Sequence, residues 1–303
     1  MYGQWRKLGL VFNASGQADW MCSHAALPVA EYITGDLFRV YFSPRDQENR
    51  GHIASLVMDI GKDGQVLELS TTPVLSPGAL GTFDDSGATM GWLTRWNGLQ
   101  YLYYSGWNLG VTVPFRFSLG LCISNDGENY TRYATGPIMD RLPHEPFLIA
   151  AGCILVDDGV WKIWYPSCTR WCFFNDNPKH YYHIKYAESN DGIHWQRDGI
   201  VAIDYSNNDE YAFSRPSVIH DADKWRMWYA YRGEKYKIGY AESIDGVSWQ
   251  RKDADAGIDV STSGWDSEMI EYPFVFDHKG RRYMLYNGNE YGRTGFGLAV
   301  WEA

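Results

Sequence analysis

The chain has 303 residues, a formal net charge of −10 and 16% aromatic residues, including 14 Trp and 22 Tyr. The acidic balance argues against nucleic acid as a partner, because phosphate contacts need clusters of Lys and Arg. No run of about 18 apolar residues is present, so we expect no segment that spans a membrane and no membrane as a partner. The aromatic content favours β structure, since aromatic side chains suit half-buried pleated surfaces.

A repeated hairpin is the main organising feature of the sequence. Residues 184–195 and 238–249 each read as a strand, an Asp-Gly turn and an aromatic residue that opens the next strand, and residues 119–130 form a looser copy. Asp-Gly between alternating apolar residues is a strong hairpin signal, because both central turn residues need positive φ. A hairpin that recurs about every 55 to 65 residues predicts an array of similar sheets.

In chain order, the repeated unit is an apolar inner strand, a turn and an aromatic-rich second strand. We therefore predict an all-β fold, a five-bladed β-propeller with four antiparallel strands per blade, as a single domain over residues 1–303. The predicted blades span approximately residues 19–75, 84–138, 145–203, 210–260 and 266–303, with 5–12 added to the last.

The last predicted blade lacks a fourth strand of its own, and the N-terminus supplies a match for it. Residues 5–11 resemble residues 195–201 at a Trp, a basic residue, a Gly, an aliphatic residue and a Val. We expect this N-terminal strand to complete the last blade, because closure of the ring removes an exposed sheet edge.

The repeat also predicts where a site lies. In a propeller, the entry into each inner strand and the loop between strands two and three lie on one face and converge on the axis. These loops are of unequal length, and the longest is predicted at 166–182; long loops on a compact scaffold are usually functional. The predicted substrate-binding residues are His24, Arg45, Arg50, Trp107, Trp171, His180, Arg215, Arg232, Glu268 and Tyr291.

Carboxylates near the axis are the predicted catalytic groups. Glu271 and Glu145 each stand at or just before the start of an inner strand, where burying a carboxylate is costly unless the chemistry needs one. The other aspartates that recur are interpreted as structural: Asp126, Asp191 and Asp245 in hairpin turns, and Asp19, Asp84, Asp209 and Asp266 as caps before inner strands.

Metal binding and disulfide bonding are not predicted. The five Cys residues are odd in number and scattered, which argues against a disulfide framework. Cys168 and Cys172, with His180 and His183, have irregular spacing for a zinc site. We predict no metal and no cofactor.

The pattern resembles a known group, the five-bladed β-propeller glycosidases of glycoside hydrolase families 32, 43, 62, 68, 117 and 130. Glu271-Tyr272-Pro273 resembles the Glu-x-Pro general acid segment of family 43, and residues 41–46 resemble the blade-one segment of these glycosidases. The resemblance implies an Asp beside the Pro that opens blade one, but residues 23–28 contain no carboxylate. Asp46, Asp85 and Glu145 are the candidate replacements for it.

The predicted function is that of a carbohydrate-active enzyme, a glycoside hydrolase with Glu271 as the acid and Asp85 or Glu145 as its partner. Two alternatives remain open: a glycoside phosphorylase, whose phosphate would need clustered arginines, and a non-catalytic carbohydrate-binding propeller. The expected partner is a small-molecule or oligosaccharide substrate, which could be acidic or phosphate-bearing, bound by a monomer or small homo-oligomer. The N-terminus has no apolar stretch of signal-peptide type, so we expect a cytoplasmic protein.

Overall fold

The computed structural model describes residues 3–303, and these residues form almost entirely β structure. Strand β1 is Gln4–Phe12. The first sheet follows it, and its four antiparallel strands run in the order β2-β3-β4-β5. Their bounds are β2 (Ser23–Thr34), β3 (Leu37–Arg45), β4 (Ala54–Asp59) and β5 (Gln65–Leu69), with a 3-10 turn at Ile60–Lys62.

The second sheet also has four antiparallel strands in chain order. Their bounds are β6 (Gly87–Trp96), β7 (Leu99–Leu109), β8 (Phe115–Ser124) and β9 (Thr131–Arg132).

The third sheet is larger and consists of two antiparallel groups. The first group is β10 (Cys153–Asp157), β11 (Val160–Phe174), β12 (Asn177–Ser189) and β13 (Val201–Ile203). The second is β14 (Ala212–His220), β15 (Trp225–Arg232), β16 (Tyr236–Ser243) and β17 (Gln250–Arg251), followed by a 3-10 turn at Asp253–Asp255. A parallel bridge between Tyr182 and Ala212 joins them. The described residues thus form three separate four-stranded sheets and this larger third sheet, which contains two groups of strands. The count of five blades stays a prediction.

The last sheet combines the two ends of the described chain, in the order β1-β20-β19-β18. Its C-terminal elements are β18 (Glu271–His278), β19 (Arg281–Asn287), a short helical turn α1 (Asn289–Gly292) and β20 (Phe296–Glu302). Gln4 pairs with Glu302, and Trp5 with Trp301. The predicted closure by the N-terminal strand is therefore present.

The three Asp-Gly hairpins share one hydrogen-bond pattern. In each, a Ser hydroxyl accepts from the Gly amide at 2.9–3.0 Å, and the Asp carboxylate accepts from two later amides. These bonds favour the ionised Asp and lower its pKa, to about 2 at Asp245. The structural interpretation of these aspartates agrees with this geometry.

The segment predicted as the longest loop has a different conformation from the one expected. Residues 166–182 mostly extend β11 and β12, which stay paired out to Phe174 and Asn177. The turn between them is Asn175-Asp176, both at positive φ, and such residues suit the tight turn of a two-residue hairpin. Backbone pairing makes this projection a hairpin arm.

Among residues 3–303, no helix has the length and hydrophobicity needed to cross a membrane.

Candidate active site

The inner strands are irregular where they start, close to one another. The pairing register shifts between Ala26 and Val29 in β2, across Gly91 in β6, between Ser214 and Ser217 in β14, and between Glu271 and Phe274 in β18. At β10 the backbones approach so closely that a Cβ on Gly152 would lie 1.7 Å from the carbonyl oxygen of Trp164.

Three of these irregular positions carry a non-glycine residue at positive φ directly before a proline. They are Leu27 (58°), Arg215 (49°) and Tyr272 (53°). The residue before proline normally adopts extended φ and ψ, and a left-handed non-glycine residue is uncommon. Such conformations cost on the order of 1–3 kcal/mol and concentrate at functional sites. The strain turns these three side chains towards a common cavity.

That cavity has a volume of about 130 Å³ and is lined from several sheets. Leu27, Thr89, Ser214, Arg215 and Tyr272 come from inner strands, and His180 and Tyr182 come from the arm formed by β11 and β12. The predicted convergence of inner-strand starts and second-to-third-strand connections is therefore observed for these residues. We refer to this space as the axial cavity.

Glu271 is the most unusual group at the site. It begins β18 next to Tyr272, and its side chain is fully buried (0% exposed). Neither carboxyl oxygen has a hydrogen bond of standard geometry with the described residues. Burial raises the pKa of the Glu271 carboxyl well above its usual value, and the charge of Arg232 and the backbone of Tyr291 oppose this only partly. Burial therefore favours the proton-carrying form of this carboxyl.

Tyrosines surround this carboxyl. The Tyr182 and Tyr236 hydroxyls are hydrogen bonded at 2.6 Å, and the Tyr236 ring lies 6.1 Å from that of Tyr272. The carboxyl of Glu271 lies close enough to all three phenols to contribute to the rise in their pKa. These tyrosines were not predicted from the sequence, although the recurring X-Pro step at inner-strand starts could have indicated Tyr272.

Three arginines near the axial cavity have no carboxylate partner among residues 3–303. Arg45 bonds the Asn49 side chain at 3.0 Å, and Arg232 bonds the Tyr291 hydroxyl. Arg215 is 1% exposed; it donates to the carbonyls of Gly91 and of Pro28, the latter at 3.2 Å. Burial lowers the pKa of Arg215 to about 9, so it still carries its charge at neutral pH.

Two histidines at the site are held neutral. Burial lowers the pKa of His24 to about 4, helped by the charges of Arg45 and Arg293. Burial likewise lowers the pKa of His180 to about 4, helped by Arg232 and Lys179. The His180 ring stacks on Tyr182 with centroids 5.0 Å apart. Both imidazoles are therefore uncharged at neutral pH, and each keeps one ring nitrogen with a free lone pair.

A second cavity of about 450 Å³ adjoins the axial cavity and shares the side chains of Phe115, Phe117 and Leu148 with it. Trp171 also lines it, 5.5 Å from the Phe115 ring and 5.2 Å from His180. Of the predicted aromatic residues, Trp171 thus lies at this wall, whereas Trp107 is 9% exposed and offers little free ring surface.

Three other predicted binding residues do not line the axial cavity. Tyr291 is 37% exposed and contacts Arg232. Glu268 is exposed and pairs with Lys235 at 2.9 Å. Arg50 is exposed and pairs with Asp46 and Glu48.

The candidate carboxylate partner Glu145 lies in an ion-pair network. It accepts hydrogen bonds from Tyr165 and Ser167 at 3.0 Å, and pairs with Lys185 at 2.8 Å and Arg197 at 3.0 Å. These contacts lower its pKa despite burial. Both oxygens are therefore engaged within the scaffold.

The same arrangement recurs in two other sheets. Asp84 accepts from Tyr104 and pairs with Arg132, and Asp266 accepts from Tyr286 and pairs with Lys7 at 2.7 Å. Glu145, which the sequence set apart from the repeated acids, is thus a member of the repeat. In the second strand group of the third sheet, the acid that pairs with an arginine is Glu210, whose partner Arg251 lies in β17. The sequence had indicated the neighbouring Asp209 for this position.

Asp85 and Asp46 also have local partners. Asp85 accepts from the Gly81 amide at 3.0 Å and the Asn108 side chain at 2.6 Å. Asp46 accepts from two amides, from Arg50 at 2.9 Å, and is 3.1 Å from His52. Neither residue lines the axial cavity. These contacts stabilise turns. Glu271 does not line the axial cavity either, but it directly precedes Tyr272, which does, and its two oxygens have no hydrogen bond of standard geometry within residues 3–303.

Metal-binding geometry is not found in residues 3–303, where no three His, Cys, Asp or Glu side chains are grouped for one ion. The five cysteines are all free thiols. Cys172 is exposed and Cys168 is buried.

Comparison with known proteins gives two extensive sequence matches and several structural ones. "Uncharacterized protein Rv1502" of Mycobacterium tuberculosis (strain ATCC 25618 / H37Rv) is 48% identical over 298 residues, covering 98% of this chain and 99% of the relative. No family model matches the chain.

Among solved structures, a glycosyl hydrolase from Bacteroides ovatus superposes with a TM-score of 0.70 at 14% identity, covering 99% of this chain and 94% of the other. A thermostable family-43 glycoside hydrolase superposes with a TM-score of 0.64 at 16% identity, covering 92% and 88%. At these identities the likeness shows the fold alone, and that fold is the one adopted by the β-propeller glycosidases.

Proposed function

The chain belongs to the family of the Mycobacterium tuberculosis protein Rv1502, and from this fold and site we propose that it is a glycosidase with Glu271 as its general acid. The two strand groups of the third sheet would count as two blades, which would give a five-bladed propeller around the axial cavity. The sugar ring whose bond is cleaved would occupy that cavity.

The observation that carries the proposal is the buried carboxyl of Glu271, whose pKa is raised by burial and which directly precedes Tyr272 at the cavity wall. Cleavage of a glycoside requires a proton on the leaving oxygen, and a carboxyl group with a raised pKa can donate it near neutral pH. The proton would pass from Glu271 to the glycosidic oxygen as the bond to the anomeric carbon breaks, with the bonding pair going to oxygen.

Hydrolysis also needs an acceptor for the proton of the attacking water. Glu145, Asp85 and Asp46 are engaged elsewhere, whereas His180 lines the axial cavity and is neutral. We assign this role to His180, which would take the proton from water as the new carbon–oxygen bond forms. The proton would then return to Glu271 through solvent, restoring both groups.

The second cavity suits the leaving group. It shares a wall with the axial cavity, and the rings of Phe115 and Trp171 line it. Aromatic faces bind the apolar faces of sugar rings, so a leaving-group sugar would occupy this space.

Turnover by wild type and Glu271→Gln, measured by mass spectrometry on pooled oligosaccharides, tests the acid assignment. We expect the variant to lose about 10²–10⁴-fold in rate. An aryl glycoside with an acidic phenol as leaving group should be much less affected, because its oxygen needs no proton. Glu302→Gln, at the exposed end of β20, is the matched control. Equal rates for wild type and Glu271→Gln on the natural linkage would remove the acid role.

A further inference from the structure

Arginines without a carboxylate partner lie near the axial cavity, although the chain as a whole is acidic. The protein carries a formal charge of −10, and most of its arginines have carboxylate partners, such as Arg132 with Asp84 and Arg251 with Glu210. Arg45, Arg215 and Arg232 have none within the described part of the chain. The neighbouring carboxyl, Glu271, has a pKa raised by burial, which the charge of Arg232 opposes only partly, and neither of its oxygens is hydrogen bonded to an arginine of the described residues.

Arg215 shows this imbalance most clearly. A guanidinium has five N–H donors, and the two recorded bonds of Arg215 go to neutral backbone carbonyls, those of Gly91 and Pro28. Its Nε is buried without a partner among residues 3–303. A buried charge without a counter-charge is costly, and proteins normally pair it or use it to hold a ligand.

Arg232 approaches the same cavity from the end of β15. Its guanidinium lies 5.5 Å from the Tyr236 ring, and the Tyr236 hydroxyl bonds that of Tyr182, which lines the cavity. Arg45 comes from another sheet, where it ends β3, and it interacts electrostatically with Tyr272, which lines the cavity. Cations from two different sheets therefore converge around one cavity.

We propose that the axial cavity binds an oxyanion, a carboxylate or a phosphate, on or beside the sugar that is cleaved, with Arg215 and Arg232 as its principal donors. Guanidinium groups suit this ligand because they present paired N–H donors to two oxygens. The inference rests on the proposed glycosidase function for its placement, and it deepens that function by naming an anionic substrate class.

The test is calorimetric titration of the full chain at neutral pH and low salt with three probes: inorganic phosphate, glucuronate and glucose. We expect phosphate or glucuronate to bind, and glucose at the same concentrations to bind at least about tenfold more weakly, since it lacks the charge that strengthens a hydrogen bond. Binding of phosphate alone would identify phosphate as a co-substrate, and binding of glucuronate alone would identify an acidic sugar. Equal binding of all three probes, or no binding of either oxyanion, would overturn the proposal.

Variants identify the donors. Arg232→Gln should weaken oxyanion binding about 10- to 100-fold, the loss expected for a charged hydrogen-bond donor. Arg215→Met tests the buried donor. If Arg215→Met does not fold, Arg45→Gln serves as the second site variant. Arg281→Gln is the matched control, because Arg281 is exposed at the start of β19 and has no acid partner in the described range. Unchanged binding in the folded site variants, or an equal loss in the control, would contradict the assignment.

Glu271→Gln separates this proposal from the glycosidase function. Oxyanion binding should persist in that variant. Cleavage of neutral glycosides by an enzyme that binds no oxyanion would overturn the anionic substrate class alone. Oxyanion binding without cleavage of any glycoside would uphold the binding site and overturn the glycosidase function.

Discussion

The hydroxyls of Tyr182 and Tyr236 are hydrogen bonded at 2.6 Å, across the boundary between the two strand groups of the third sheet. Tyr182 lies in the arm built by β11 and β12, and Tyr236 begins β16. The pair connects these groups beside Glu271, at a place where the backbone is joined by a parallel bridge at Tyr182. The hydrogen bond between Tyr182 and Tyr236 therefore stabilises both the surroundings of the Glu271 carboxyl and the junction between the two strand groups.

Tyr236→Phe should destabilise the protein by about 1–3 kcal/mol, because the Tyr182 hydroxyl would remain buried with its partner removed. Denaturant titration measures the change. The double variant Tyr182→Phe with Tyr236→Phe should lose less than the sum of the single variants, since it leaves neither hydroxyl unpaired. Strictly additive losses would contradict this coupling.

The pH dependence of activity should report the raised pKa of Glu271. The acid must carry its proton, so kcat/KM should hold below the folded-state pKa and fall as pH rises through it. That decline should come at a higher pH than for an ordinary glutamate. Measuring kcat/KM between about pH 4 and pH 9 checks this, and a decline beginning near the ordinary glutamate pKa of about 4.3 would contradict it.

Stability should fall as pH is lowered from neutral, because His24 and His180 have folded-state pKa values lowered to about 4. The unfolded chain binds their protons at about pH 6.5, so each contribution is present above that pH and is lost as pH falls towards 4. We expect a loss on the order of 2 kcal/mol per histidine. His24→Asn and His180→Asn should each flatten this dependence in thermal unfolding; an unchanged slope would exclude the histidine concerned.

Glu145→Gln should act on the fold. The substitution leaves Lys185 and Arg197 without their carboxylate and should cost about 3–5 kcal/mol, as expected when one partner of a buried ion pair is removed. Asp85→Asn, in a turn near the surface, should cost about 1 kcal/mol or less. Denaturant unfolding compares them. A fully stable but inactive Glu145→Gln protein would instead support a catalytic role.

Deleting residues 1–12 should prevent formation of a stable monomer. The deletion removes β1 and leaves β20 as an open edge, which is prone to pair with other chains. Trp5 also packs edge-on against Trp228 and Trp301, at 5.6 and 5.2 Å, so Trp5→Ala should cost about 3–5 kcal/mol. Arg6→Ala, on an exposed surface, is the control. Light scattering and thermal unfolding give the result, and a stable monomeric truncation would contradict the closing role.

Much of the scaffold was predictable because its signals are local. The Asp-Gly turns fix hairpins, and the likeness of residues 5–11 to 195–201 reveals the strand that completes the last sheet. Glu271 was also identifiable, since it stands beside an X-Pro step at an inner-strand start. The hairpin arm formed by β11 and β12 was predicted as a loop, because the two strands that pair in it belong to the same polar, aromatic segment.

The roles of the other acids depend on distant partners and could not be predicted. Glu145 meets Lys185 and Arg197 only after β12 and the following segment fold back against it. The raised pKa of Glu271 likewise depends on burial by the surrounding packed residues. The sequence indicated Glu271 as a candidate acid, and only the packed structure distinguishes its unpaired carboxyl from the acids held in ion pairs.

Pairing of Gln4 with Glu302 brings the two ends of the chain side by side. A short linker between them would therefore permit circular permutation, with new ends cut into an exposed turn such as Asn97-Gly98, far from β1 and β20 in sequence. It follows that an affinity tag attached before β1 or after β20 projects from the same edge of this sheet. Circular permutation would therefore let this sheet form from one continuous stretch of chain, while the sheet that contains the new ends would have to combine both of them.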